Sequence, residues 1–238
     1  MIGGTTGLVG LLRDPRVSSL SPRMHNAAFA ARALDLAYVP LGVPPERLED
    51  AVRGLVALGF LGANVTTPHK RAAALLCDEV EDGVESVNTL VLRDGRVLGS
   101  STDTAALADR RPTTAAVIGA GGAAAAWIAE LESRRARVQV FSRKGAWPAH
   151  TDAAELVIQA TPVKDELLFE PRRGQTVIEL AYRIDGGETA HAAAARRAGC
   201  EVVDGLEVLV AQGAASFERW TGVPAPVDVM RAAVGLRR

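Results

Sequence analysis

Along the chain, short apolar runs rich in Val, Leu and Ile alternate with alanine-rich stretches whose apolar positions recur at helical spacing, the pattern of an α/β protein with parallel sheets. Residues 7–12 read as a strand, and the loop after it ends in Ser19-Leu20-Ser21-Pro22. Ser21 is the expected N-cap of a helix over residues 23–35, with Pro22 in the first turn, where its missing N–H costs nothing. Residues 36–41 predict a second strand, Pro44-Pro45 opens a helix through Leu58, and residues 62–66 predict a short third strand. After another loop and helix, residues 87–92 and 97–99 read as strands joined by a hairpin at Arg93-Asp94-Gly95.

Ala108-Asp109-Arg110-Arg111-Pro112 is a charged, proline-terminated stretch suited to a linker. Beyond it, residues 115–118 form a buried-type strand, followed by a glycine turn at 119–122 and a helix at 123–133. Further strands are expected at 138–141, 156–160, 176–180 and 201–203, with a helix at 188–198 before the last. A final helix at 206–220 places Leu206, Leu209, Val210, Phe217 and Trp220 near one face.

Composition narrows the function classes. The 238 residues carry 27 Lys+Arg against 28 Asp+Glu, a net charge of −1, so there is no basic excess of the kind nucleic-acid binding needs. Cys77 and Cys200 lie far apart and form no CxxC, which argues against a disulfide framework and for a reducing compartment. The N-terminus has no basic segment before its apolar stretch, and the longest uncharged run, residues 113–129, is shorter than the roughly 20 residues a membrane span needs. A cytoplasmic protein with no membrane or nucleic-acid partner is expected. His25, His69, His150 and His191 show no metal-ligand spacing, so no metal is expected. Lysine is scarce: Lys70, Lys144 and Lys164 are the only three.

The glycine turn Gly119-Ala120-Gly121-Gly122-Ala123-Ala124 fits G-x-G-x-x-[G/A] between a strand and a helix. That arrangement allows a tight turn, close approach of a pyrophosphate to the backbone, and anion binding at the helix N-terminus. A site for NAD usually carries an acidic residue at the end of the next strand. Here Phe141 is followed by Ser142-Arg143-Lys144, whose paired positive charge suits a 2′-phosphate and favours NADP. Three polar clusters precede the linker: Ser18-Ser19-Leu20-Ser21, Asn64-Val65-Thr66-Thr67-Pro68-His69-Lys70, and Asn88-Thr89 with Ser101-Thr102-Asp103. They fall at strand ends, where open α/β sheets gather ligands.

In this order the clusters resemble the shikimate dehydrogenase family, which includes the related quinate/shikimate dehydrogenases. The resemblance covers nearly the whole chain and rests on SLSPRMHNAAF at 19–29, GANVTTPHK at 62–70, SVNTL at 86–90, STD at 101–103, GAGGAA at 119–124, QATP at 159–162 and GLEVLVAQGAASFERWTG at 205–222. It implies a two-domain α/β protein. Residues 1–104 plus 206–238 would form a substrate domain with a mostly parallel sheet, to which the C-terminal helices return, and residues 105–205 a Rossmann-like NADP domain, with the active site in the cleft. By the same resemblance Lys70 and Asp103 match the catalytic pair. Ser19, Ser21, Thr66, Asn88 and Gln212 match positions that hold the substrate's carboxylate and hydroxyls, and Tyr182 matches a cleft tyrosine. Gly119, Gly121, Gly122, Ala123, Ser142, Arg143, Lys144, Thr161 and Gly205 match positions at the nucleotide. The implied reaction is NADPH-dependent reduction of 3-dehydroshikimate to shikimate by a monomer or homodimer. An ammonium, with its ordinary pKa of about 10.4, stays protonated at neutral pH and suits delivery of a proton to a developing alkoxide.

The chain departs from the family pattern at Ser18 for His, Ser101 for Asn, Ser142 for Asn, Lys144 for Thr and Glu179 for Asp, and it reads Glu85-Ser86-Val87-Asn88-Thr89 where GAVNT is usual. Two connections are also short: the one between Asp103 and Gly119, and the one between Phe141 and Leu156, which leaves little room for a crossover helix. The shortening predicts weaker NADP affinity than in longer relatives. Quinate or aminoshikimate dehydrogenation, a ligand-binding paralogue without turnover, and another two-domain NADP dehydrogenase stand as alternatives.

Overall fold

The computed structural model describes residues 2–236; Met1 and residues 237–238, the outer ends of the expected substrate domain, lie outside the described residues. The chain divides into two units, Met1–Thr102 with Val210–Arg238, and Asp103–Leu209.

In the first unit, β1 (Gly7–Arg13), β2 (Leu36–Gly42), β3 (Gly62–Val65), β4 (Glu79–Val80), β5 (Thr89–Arg93) and β6 (Arg96–Ser100) form one sheet in the order β2-β1-β3-β5-β6-β4. β1 runs parallel to β2 and β3, and β4 parallel to β6, whereas β5 is antiparallel to β3 and β6. The interior strand β1 is an unbroken apolar run because both its faces are covered, and Val9, Leu11 and Leu12 are buried. Helix α2 (Leu48–Ala57) packs Leu48, Val52 and Leu55, at i, i+4 and i+7, into a core with Val65 and Leu90. Asp94 and Gly95 both take positive φ, at 52° and 75°, the twist a two-residue hairpin needs.

Helix α1 spans Ser21–Ala31 and differs from expectation at both ends. Its N-cap is Leu20, not Ser21; the Ser19 hydroxyl accepts the Ser21 N–H at 3.1 Å, so the capping hydroxyl stands two residues earlier. The helix stops short of Asp35 because Ala33 turns to φ 52° and the Leu34 N–H closes on the Phe29 carbonyl, freeing Asp35 to bind the Thr5 and Thr6 hydroxyls. The Pro44-Pro45 stretch likewise begins as one 3-10 turn, Pro45–Arg47, before α2.

The second unit holds β7 (Thr114–Ile118), α4 (Gly122–Ser133), β8 (Arg137–Phe141), β9 (Leu156–Gln159), β10 (Thr176–Glu179), α5 (Ala190–Ala198) and β11 (Glu201–Val203). Its sheet is wholly parallel in the order β11-β10-β9-β7-β8. The chain leaves β7 for β8 on one side and continues to β9 on the other, so the carboxyl ends of β7 and β9 mark the switch point where such sheets bind ligands. No helix lies between β8 and β9. Thr189 caps α5 by accepting the Ala192 N–H, and Gly199, at φ 77°, ends it. Helix α6 (Gly205–Thr221) carries the chain from the second unit back to the first, where the Trp220 indole donates to the Leu90 carbonyl at 2.9 Å and α7 (Val227–Ala233) packs on α1. No helix among the described residues is long and apolar enough to cross a membrane.

Candidate active site

The polar residues of the first unit converge on one buried network. Asn88, just before β5, is 1% exposed. Its Nδ2 donates to Thr102 Oγ1 at 3.0 Å and to Gln212 Oε1 on α6 at 3.1 Å, while its Oδ1 accepts the Thr102 N–H at 2.8 Å. Asn64 at the end of β3 donates from Nδ2 to the Asn88 carbonyl at 3.1 Å and to Ser216 Oγ at 3.0 Å. Ser216 in turn lies 2.8 Å from Thr89 Oγ1 and 3.1 Å from Thr102 Oγ1, and donates to the Gln212 carbonyl. The Tyr38 hydroxyl donates to Asn64 Oδ1 at 2.8 Å, and at the start of α1 the Ser19 hydroxyl donates to that of Ser21 at 3.1 Å. Asn88 and Gln212, from distant segments, are thereby linked with Tyr38, Asn64, Ser216 and Thr102, while Ser19 and Ser21 bond each other at the start of α1.

Thr66 is half-buried at the end of β3, its N–H on the Leu12 carbonyl and its carbonyl on the His69 N–H, the turn that leads into α3 (Lys70–Ala74). Lys70 is also half-buried, and its carbonyl accepts the Val87 N–H at 3.1 Å. Asp103 follows Thr102 directly. Asn88 therefore adjoins Val87, which pins the Lys70 backbone, and itself pins the residue before Asp103. Burial pushes the Tyr38 hydroxyl well above its ordinary pKa, so it stays a neutral hydrogen-bonding group. His25, fully buried and stacked on Tyr38 at 4.5 Å between ring centres, is pushed down to about 3 by desolvation and is held neutral.

In the second unit the glycine turn sits at the switch point. Gly119 takes φ 118°, and its N–H donates to the Phe141 carbonyl at 2.8 Å, joining the ends of β7 and β8. A Cβ at Gly119 would stand 3.2 Å from the Ala160 carbonyl and 3.3 Å from Thr161 Cγ2, which brings the half-buried Thr161 to the same edge. A Cβ at Gly121 or Gly122 would meet nothing within 4 Å. This open space, with exposed Ala123 beside it, lies over the first turn of α4, whose N–H groups lack intrahelical acceptors. The donor set and the space fit a pyrophosphate. Ser142-Arg143-Lys144 form a tight turn closed by the Gly145 N–H on the Ser142 carbonyl; Arg143 and Lys144 are exposed, and Arg143 approaches Glu166 at 3.4 Å.

Tyr182 and Gly205 meet each other: a Cβ on Gly205 would fall 2.2 Å from the Ala181 carbonyl oxygen and 3.0 Å from Tyr182 Cβ. The turn they share is braced by fully buried Glu179, whose Oε1 accepts the Ala181 N–H and whose Oε2 accepts the Thr189 hydroxyl, both at 3.0 Å. His191 Nδ1 lies 3.3 Å from the same Oε2 without hydrogen-bond alignment, while its Nε2 accepts the Leu168 N–H, which leaves the ring proton on Nδ1.

Each unit thus gathers its own share of the residues singled out in the sequence. Ser19, Ser21, Thr66, Lys70, Asn88 and Gln212 fall in the first unit. Asp103, the glycine turn, Ser142, Arg143, Lys144, Thr161, Tyr182 and Gly205 fall in the second. Sequence reasoning missed Tyr38 and the hub role of Ser216. The alternation of β2 marks Tyr38 only as an inward residue, and Ser216 reads as one more small residue of a helix. No group of three or more His, Cys, Asp or Glu residues placed to hold a metal occurs among the described residues.

Fold and site define a two-unit α/β protein with a Rossmann-type second unit. Residues 12–90 match the model of the shikimate dehydrogenase substrate binding domain, and residues 205–234 that of the shikimate 5'-dehydrogenase C-terminal domain. A shikimate dehydrogenase (NADP(+)) of Rubrobacter xylanophilus is 40% identical over 280 aligned positions, covering 98% of this chain and 97% of the relative. Among solved structures, the shikimate dehydrogenase of Aquifex aeolicus superposes with a TM-score of 0.88 at 29% identity, covering 99% of this chain and 100% of that one. The shikimate 5-dehydrogenase of Thermus thermophilus, in complex with NADP(H) and shikimate, does so with a TM-score of 0.85 at 29% identity, covering 96% and 98%. The chain belongs to the shikimate dehydrogenase family.

Proposed function

We propose that this chain interconverts 3-dehydroshikimate and shikimate using NADPH and NADP+, a step of aromatic amino acid biosynthesis. The observation that carries the reading is the buried network that joins Asn88 and Gln212 through Asn64, Thr102 and Ser216, a set of hydroxyl and amide groups suited to a hydroxylated carboxylic acid. In this reading residues 1–104 plus 206–238 form the substrate domain and residues 105–205 the NADP domain.

NADP(H), when bound, supplies or takes up the hydride. Gly119, Gly121, Gly122 and Ala123 hold its pyrophosphate at the start of α4, Arg143 and Lys144 take the 2′-phosphate with Ser142 beside them, and Thr161 and Gly205 line the rest of the nucleotide site. Ser19, Ser21, Thr66, Asn88 and Gln212 bind the substrate's carboxylate and hydroxyls, and Tyr182 lines the site. Lys70 gives its ammonium proton to the carbonyl oxygen during reduction and stabilises the charge that grows there; Asp103 orients Lys70 and hydrogen-bonds the reacting hydroxyl. The same reading places the enzyme in the cytoplasm as a monomer or homodimer. Both cysteines, Cys77 and Cys200, are free thiols, in keeping with a reducing compartment.

NADP+-dependent oxidation of shikimate, compared with quinate and an aminoshikimate, tests the proposal. The wild type is expected to prefer shikimate, and Lys70→Ala to lose about 10²–10⁴-fold in kcat, the usual worth of general acid catalysis. Folded wild-type protein inactive on all three substrates would leave the second reading, a ligand-binding paralogue, which the loss of the family's amide at Ser101 favours. A loss below about tenfold in Lys70→Ala would remove the proton-donor role.

A further inference from the structure

Two of the segments proposed to hold substrate depend on the end of β1. On one side the Leu12 carbonyl accepts the Thr66 N–H at 3.0 Å, so the turn that carries Thr66 is tied to the last-but-one residue of the strand. On the other side Arg13 faces Gly42 of β2, and its carbonyl accepts the Val43 N–H at 2.9 Å. From this anchored point the chain leaves as the loop 14–18, which leads directly to Ser19 and Ser21.

The Arg13 side chain folds back over that loop. Its Nη1 donates to the carbonyl oxygens of Asp14 at 2.9 Å, Pro15 at 2.9 Å and Val17 at 2.6 Å. Two protons serve three acceptors, so one bond is shared. Charge-assisted bonds of this kind are roughly twice as strong as neutral ones. Asp14 does not draw the cation away, because its carboxylate is turned to Arg16. There Oδ1 accepts the Arg16 N–H at 2.9 Å and Nε–H at 3.0 Å, and Oδ2 accepts from Nη2 at 2.7 Å. The Val17 N–H closes on the Asp14 carbonyl at 3.0 Å. Residues 15–18 are exposed, so apolar burial does little to shape the loop and these hydrogen bonds decide it. Beyond them the Ser19 hydroxyl accepts the Ser21 N–H and donates to the Ser21 hydroxyl, both at 3.1 Å.

We propose that Arg13 is a positioning residue for substrate: its guanidinium gathers three carbonyls of the exposed loop into one shape, so that Ser19 and Ser21 stand in place before substrate arrives. The inference rests on the proposed function, because it takes Ser19 and Ser21 as substrate ligands. Arg13 acts through the loop and the two serines, not at the reacting atoms. Order established before binding lowers KM and leaves kcat largely alone.

Arg13→Met keeps a long apolar stem and removes the donors. The expected result is a KM for shikimate raised about tenfold, with kcat and the KM for NADP+ within about twofold of wild type. In a background carrying both Ser19→Ala and Ser21→Ala the same change is expected to add less than about twofold, because the groups through which Arg13 acts are gone. An unchanged KM for shikimate, equal rises in both KM values, a fall in kcat as large as the rise in KM, or full additivity with the serine changes would overturn the proposal. Hydrogen exchange reads the same loop in the wild type, with no substitution. The N–H groups of Arg16, Val17 and Ser21 bond Asp14 Oδ1, the Asp14 carbonyl and Ser19 Oγ. Without shikimate they are expected to exchange at least about tenfold more slowly than in a free chain, and saturating shikimate to slow them by less than about threefold more. Free-chain exchange that becomes protected only when shikimate is added would also overturn the proposal. Wild-type protein with no shikimate turnover would instead count against the proposed function, a separate failure, and exchange without substrate would still decide whether the loop is preorganised.

Discussion

At Gly119 the backbone stands at φ 118°, and a methyl group there would press against the Ala160 carbonyl at 3.2 Å. Gly121 takes φ −85°, ordinary for any residue, and a methyl group on it would project into open space. The two glycines of the turn therefore answer different demands: Gly119 that of the fold, and Gly121, in the proposed reading, that of a ligand. Gly119→Ala is expected to cost about 1–3 kcal/mol of stability, the usual penalty for a side chain in a sparsely populated backbone region. Gly121→Ala is expected to leave the melting temperature unchanged and to raise the KM for NADP+ about tenfold or more, because the new methyl takes the space a pyrophosphate would enter. Melting curves and KM measurements on the two variants check this. An NADP+ affinity unchanged by Gly121→Ala would remove the turn from the cofactor site.

At the scale of elements, the β8–β9 connection is short and without a helix. The curated relative from Rubrobacter xylanophilus aligns over 280 positions against a chain of 238 residues, so it carries insertions absent here. The segment after Phe141 turns on Ser142-Arg143-Lys144 and reaches β9 without a helix. The proposed 2′-phosphate site there consists of two exposed cations, one of them shared with Glu166. Replacing Arg143 and Lys144 together by Ala is expected to raise the KM for NADP+ about tenfold or more, the worth of a lost charge-assisted hydrogen bond, while barely moving that for NAD+. Equal effects on both cofactors would contradict the 2′-phosphate assignment. Strands β1, β7 and β9 were legible as apolar runs because burial on two faces leaves a continuous signal. Helix ends were not: the stop at Ala31 depends on Ala33 adopting φ 52°, and alanine gives no warning of that. β4 has two residues, too few for any period to show.

Across the whole molecule, the candidate site shows in the sequence as contiguous strings, such as NVTTPHK and GAGGAA, whereas the network that packing assembles leaves no such string. Tyr38 meets Asn64 across 26 positions, and Asn64 meets Ser216 across 152, distances no local pattern spans. His25 belongs to that hidden layer. In the sequence it is one more inward position of α1 with Met24, Ala28 and Phe29. In the fold it is enclosed, with both ring nitrogens lacking hydrogen-bond partners. Burial lowers its folded pKa from 6.5 to about 3, so the unfolded chain binds the proton more readily than the folded one. Stability from this group is complete above pH 6.5 and is lost as pH falls toward 3, by about 2 kcal/mol between pH 7 and pH 5. His25→Phe keeps an aromatic ring against Tyr38 and Trp220 and removes the titration. Urea unfolding at the two pH values is expected to show the wild type losing about 2 kcal/mol more than the variant. Equal losses would mean that the buried imidazole is protonated at little cost, and that the enclosure around Tyr38 is more open to water than its geometry implies.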